Sequence, residues 1–341
     1  SPFNGVTGSD ISTDTNASRA LALGDIDGDG DLDLIVGNDS KTNRLYLNNG
    51  SASPFNGVTA TDISTDTQFT VALALGDVDS DGDLDVITGN NLQTNRLYIN
   101  TGSVTPFNGV TGIDISSNTR ATVAVALGDV DSDGDLDMIA VNSTQTNRLY
   151  LNDGSATPFN RVIAADISTD ANASPALRLG DVDGDGDLDL VVGNFEGTNR
   201  LYLNNGSVEP FNGVTGSDIS TDVNATRALV LVDVDGDGDL DLIVGNTDQP
   251  NRLYLNNGTD IPFSEVTGTD VSADINDTRD LALDDIDGDG DLDLIAGNFY
   301  ETNRLYLNNG SVSPFNGVIA TDISTDTNFT TDSPKYLAGI V

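Results

Sequence analysis

Short apolar runs alternate with polar clusters along the whole chain. Ala20 to Leu23 (ALAL) is one such run, Leu32 to Val36 (LDLIV) a second rich in branched residues, and Leu45 to Leu47 (LYL) a third. Apolar runs this short, bounded by Gly, Asn and Asp, predict β-strands. Asn49-Gly50 then predicts a hairpin, since a type I′ turn needs positive φ at both central residues. Phe55 to Thr59 (FNGVT) reads as a fourth, weaker strand, and the polar TDISTDTQ from Thr61 as a connector. No segment carries apolar residues at helical spacing.

This pattern recurs every 52 residues without insertion or deletion. The segment DIDGDGDLDLIVGN at Asp25 returns at Asp77, Asp129, Asp181, Asp233 and Asp285, and Pro-Phe recurs at Pro2, Pro54, Pro106, Pro158, Pro210, Pro262 and Pro314. Four short strands per tandem unit is the signature of propeller blades. The expected fold is all-β: a single β-propeller domain over residues 1–341 with six four-stranded blades. Seven Pro-Phe segments against six aspartate loops leave seven blades as the alternative, although a seventh would lack two strands. A six-bladed ring leaves one Pro-Phe strand and the tail 321–341 to spare. That tail reads either as a linker to a further module or as a strand exchanged with a neighbouring molecule, giving head-to-tail self-association and a filament.

The aspartate loops, 25–33, 77–85, 129–137, 181–189, 233–241 and 285–293, are the candidate chemistry. Carboxylates fill positions 1, 3, 5, 7 and 9 of each. They are Asp25, Asp27, Asp29, Asp31 and Asp33; Asp77, Asp79, Asp81, Asp83 and Asp85; Asp129, Asp131, Asp133, Asp135 and Asp137. The later loops carry Asp181, Asp183, Asp185, Asp187 and Asp189; Asp233, Asp235, Asp237, Asp239 and Asp241; Asp285, Asp287, Asp289, Asp291 and Asp293. Five acids in nine residues repel one another without a cation, and calcium takes six to eight hard oxygens in flexible geometry. The reading gives side-chain ligation to positions 1, 3, 5 and 9 and a backbone carbonyl to position 7, with about six Ca²⁺ per chain, one per repeat. Ile26 and Leu32 are expected to anchor the loop to the core. An EF-hand is excluded, because position 12 (Val36, Thr88, Ala140, Val192, Val244, Ala296) is never acidic and a strand follows.

DxDGDGDLDLIVGN followed by NRLYLNNG and Pro-Phe resembles the FG-GAP/VCBS repeats of integrin-α-like propellers. The resemblance implies calcium in the loop between the first and second strands of each blade, held by those same positions. Ser80 and Ser132 replace glycine at position 4, which is not a ligand position.

Composition narrows the function. A formal charge of −41 makes nucleic acid and anionic lipid poor partners. No apolar run is long enough to insert in a membrane. The chain opens on Ser1 without a signal peptide and reads as a mature or excised product. With no histidine, no cysteine and no nucleophile elbow, no catalytic constellation is legible. The recurrent arginine (Arg44, Arg96, Arg148, Arg200, Arg252, Arg304) reads as a structural partner of a nearby aspartate. The recurrent tyrosine (Tyr46, Tyr98, Tyr150, Tyr202, Tyr254, Tyr306) reads as packing between blades. The resulting expectation is a non-enzymatic, extracellular, cell-surface scaffold of structural or adhesive type, meeting protein or glycan partners. The alternative is a multivalent carbohydrate-binding module, against which the lack of tryptophan counts.

Overall fold

A computed structural model describes residues 10–159, 162 and 164–323, all of them in strands, turns or irregular backbone. Each repeat builds one antiparallel four-stranded meander. In the first repeat Ser18–Gly24, Asp33–Asn38, Arg44–Tyr46 and Thr61–Asp62 pair in chain order. The same sheet recurs from Thr70, Thr122, Ala176, Asn224 and Thr278, giving a six-bladed propeller. In the fifth blade an extra edge, Phe195–Gly197, joins from the preceding repeat. Blades one to three form one compact unit and blades four to six a second.

The apolar pattern explains the layering. The second strand, DLIVGN, is buried along its whole length, whereas the first alternates buried and half-buried residues. Neighbouring blades within a unit share their cores. Ile26, Ile35, Leu45 and Ile63 of blade one close on Leu73, Val86, Tyr98 and Phe107 of blade two. Full burial of each such side chain contributes about 1.5–3 kcal/mol. Gly24 permits this approach, because a Cβ there would stand 2.9 Å from Cδ1 of both Leu75 and Leu84.

Four expectations need correction. The Pro-Phe segment is a turn: Asn56 N–H donates to the Ser53 carbonyl at 3.0 Å, Val58 N–H to Phe55 at 3.2 Å, and Gly57 has φ +77°. The fourth strand is the exposed pair Thr61–Asp62, inside the expected connector. The spare-strand arithmetic falls with it, because the segment at Pro314 is also a turn and Thr321–Asp322 closes the sixth blade. The opening copy at Pro2, and the tail beyond residue 323, lie outside the described residues. Finally, Ile26 is buried as expected, but Leu32 is 45% exposed. Its equivalent Leu84 reaches sideways over Gly24 of the preceding blade and so serves the blade-to-blade contact.

Candidate metal centres

Each aspartate loop joins the ends of the first two strands, where the chain reverses within nine residues. Glycines at positions 4 and 6 supply the left-handed backbone, Gly28 at φ +74° and Gly30 at φ +92°. Ser80 and Ser132 take the same conformation at φ +60° and +59°, so the loop shape survives both replacements.

The first carboxylate organises the loop. Asp25 Oδ1 accepts from Asp29 N–H at 3.0 Å and its Oδ2 from Gly30 N–H at 2.9 Å. Asp29 Oδ1 in turn accepts from Asp31 N–H at 3.0 Å. The ninth residue is the buried floor: Asp33 Oδ2 accepts from Ile26 N–H at 2.9 Å and Oδ1 from Asn48 N–H at 2.7 Å. In repeats two to five, carboxylate oxygens from positions 1, 3 and 9 lie within 4.8 Å of one another. In the first repeat the group is Asp25, Asp27 and Asp29. Position 7 stands apart from these groups, and the Asp31 carboxylate leans over Gly50, Oδ2 lying 3.0 Å from where a Cβ would stand.

Two observations show strain that a cation would relieve. Burial pushes the carboxyls of Asp85, Asp137 and Asp241 up to about 7, and that of Asp189 to about 6. Burial, then the neighbouring position-5 carboxylate, also raises Asp79, Asp131 and Asp235. More directly, Oδ1 of Asp27, Asp79, Asp131 and Asp235 is buried without a hydrogen-bond donor, as is Oδ1 of Asp181. A buried oxygen left unmatched is costly, and a hard cation is the partner an all-oxygen donor set fits.

The recurrent tyrosine and arginine lie elsewhere. Tyr98 is buried in the core shared by the first two blades, and its hydroxyl donates to Asp66 at 3.2 Å. Arg96 pairs with Asp66 at 3.1 Å and Asp114 at 3.2 Å. Arg252 pairs likewise with Asp222 and Asp270. The connector aspartates therefore tie the outer strand to the preceding connector. One participant escaped the sequence reading: the Asn two residues before the turn glycine. Asn100, Asn152, Asn256 and Asn308 each donate a side-chain N–H to the position-2 carbonyl of the preceding blade's loop. The 52-residue recurrence of that Asn is visible in the sequence, but the hairpin signal there rests on Asn49-Gly50 and not on Asn48, its equivalent in the first repeat.

The FG-GAP-like repeat pattern matches residues 25–88, 77–140, 129–192, 181–244 and 233–296. The chain belongs to the FG-GAP-like repeat family. Among curated relatives, this FG-GAP-like chain is 28% identical over 181 residues to cartilage acidic protein 1 of Mus musculus, covering 50% of the chain. It is 26% identical over 187 residues to the Xenopus tropicalis protein of that name, covering 52%. The alignments span only 28% and 29% of those relatives. Among solved structures, an Agrocybe aegerita lectin that recognises non-reducing terminal N-acetylglucosamine superposes with a TM-score of 0.63 at 18% identity. That match covers 92% of this chain and 81% of the lectin, and supports the fold.

Proposed function

We propose that the protein is a calcium-stabilised, non-enzymatic structural or adhesive element of the extracellular space. The observation that carries this reading is the recurrence, blade after blade, of buried carboxylate oxygens without donors. In the first loop Asp25, Asp27, Asp29 and Asp33 would hold the ion by side chain and Asp31 by its carbonyl, and the other five loops likewise. Calcium suits this set better than magnesium, because the loop offers many oxygens in an irregular cage. The ion neutralises the clustered charge and fixes the loop. The loop carbonyl at position 2, held by the next blade's Asn, transmits that order sideways. Sites of this kind fill at the millimolar calcium of extracellular fluids. The likeness to a cartilage acidic protein supports that location.

The test is particle mass by light scattering together with thermal melting, in millimolar calcium and after chelation. Loosened, lower-melting particles on chelation support the reading. Identical melting in both conditions contradicts it. The lectin neighbour favours a second reading, a glycan-binding propeller. Calcium-dependent signal on a glycan array would establish it, and a blank array would remove it.

A further inference from the structure

The repeats diverge at the turn between the second and third strands, where the triplets are DSK, NLQ, STQ, FEG, TDQ and FYE, and at the first-strand position that is arginine only in blades one, five and six. The middle residues of the triplets share a left-handed backbone, Glu196 at φ +63° and Tyr300 at φ +61° among them. The turn shape is thus common to all, and nothing in it calls for an aromatic residue. Yet Phe195, Phe299 and Tyr300 appear there in the unit of blades four to six. This turn lies at the opposite end of the first strand from the metal loop.

Two arginines meet these rings. The Arg227 guanidinium lies over Phe195, 4.2 Å from the ring centre, and Arg279 over Phe299 at 4.8 Å. Asp277 accepts from Arg279 at 2.5 Å and from Thr247 Oγ1 at 2.8 Å. Arg227 reaches it only through Thr247, to which its Nε donates at 3.3 Å. Arg227 makes no ion pair of its own among the described residues, and burial and the Arg279 charge hold its pKa below the usual arginine value. Arg279 Nε is buried without a partner. In this lack of an ion pair Arg227 alone differs from Arg19, at the same position in blade one, which pairs directly with Asp39 at 2.9 Å as Arg279 does with Asp277.

We infer that Arg227 and Arg279, with the rings of Phe195, Phe299 and Tyr300, form a binding site for a sugar bearing one carboxylate. Guanidinium forks match a carboxylate bidentately. The Tyr300 ring, half exposed and edge-on to Phe299 at 3.9 Å, offers an amphipathic face for the pyranose. The acidic remainder of the chain repels polyanions, which selects a single charge on an otherwise neutral sugar.

The test titrates the calcium-loaded chain with sodium glucuronate, glucose and sodium acetate by calorimetry. Glucuronate should bind saturably, with glucose and acetate each roughly tenfold weaker or worse, since a charge-assisted contact is lost in one and the stacking in the other. Arg227→Gln, which removes the charge but keeps a side chain against Phe195, should weaken glucuronate roughly tenfold. Arg19→Ala should change nothing. Melting curves in calcium check that each variant folds. No glucuronate binding, equal binding of glucose or acetate, or an unaffected Arg227→Gln would overturn the site. A glycan array blank for neutral sugars leaves this site standing while removing the broader lectin reading.

Discussion

The side-chain amide of Asn100 donates to the carbonyl of Ile26, 74 residues earlier, at 2.9 Å, while its backbone N–H donates to Asp85 at 2.7 Å. One residue therefore joins the aspartate loops of two blades. The side-chain bond is buried, so cutting it strands the Ile26 carbonyl away from water. Asn100→Ala should cost about 1–3 kcal/mol in calcium. Asn49→Ala, at the exposed turn tip, should cost less than about 1 kcal/mol. Urea denaturation of both variants measures the contrast.

Positions 9 and 7 of the loop should behave oppositely. Asp85 is buried and grouped with Asp77 and Asp79, whereas position 7 is outside that group. Asp85→Asn should remove one ion per chain, and Asp83→Asn should leave the ion count unchanged. Equilibrium dialysis against labelled calcium reads both.

Acid should stabilise the calcium-free protein and destabilise the loaded one. Asp85, Asp137 and Asp241 keep their protons up to about pH 7 when folded, against an ordinary 3.8. Between those values the folded state holds protons that the unfolded chain has released. Stability from these groups is full below the window and declines as pH rises through it. Calcium needs the ionised carboxylates, so its contribution grows over the same range. Melting temperature should fall from pH 5 to pH 8 without calcium and rise with it. Asp62 and Asp166, whose pKa values are lowered by Thr and Arg hydrogen bonds despite partial burial, act only below this window.

Tyr98 separates packing from polar pairing. Its ring fills the core shared by the first two blades, and its hydroxyl meets Asp66. Tyr98→Ala should cost about 3–5 kcal/mol by opening a cavity. Tyr98→Phe should cost about 1 kcal/mol for the lost hydrogen bond. Chemical denaturation of the pair gives the difference.

The legible parts of this protein were those written as repetition. The LDLIV strand and the alternating aspartates announce themselves because burial and the convergence of carboxylates in a tight loop each demand a fixed spacing. Thr61–Asp62 was illegible because both residues are exposed, so only backbone pairing and Arg44 define the strand. Phe55 misled for the converse reason: an apolar pair beside a branched residue resembles a strand, but Gly57 curls it into a turn. The pairing of Arg227 with Phe195 could not be read at all. It joins adjacent blades, and no spacing rule links the two positions.

The most direct measurement is the calcium stoichiometry of the intact chain by isothermal titration calorimetry, with the melting temperature followed at each addition. The account predicts about six ions per chain, one per aspartate loop, and a melting temperature that rises until the loops are filled. Saturation at one ion or none, or full occupancy that leaves melting unchanged, would contradict it.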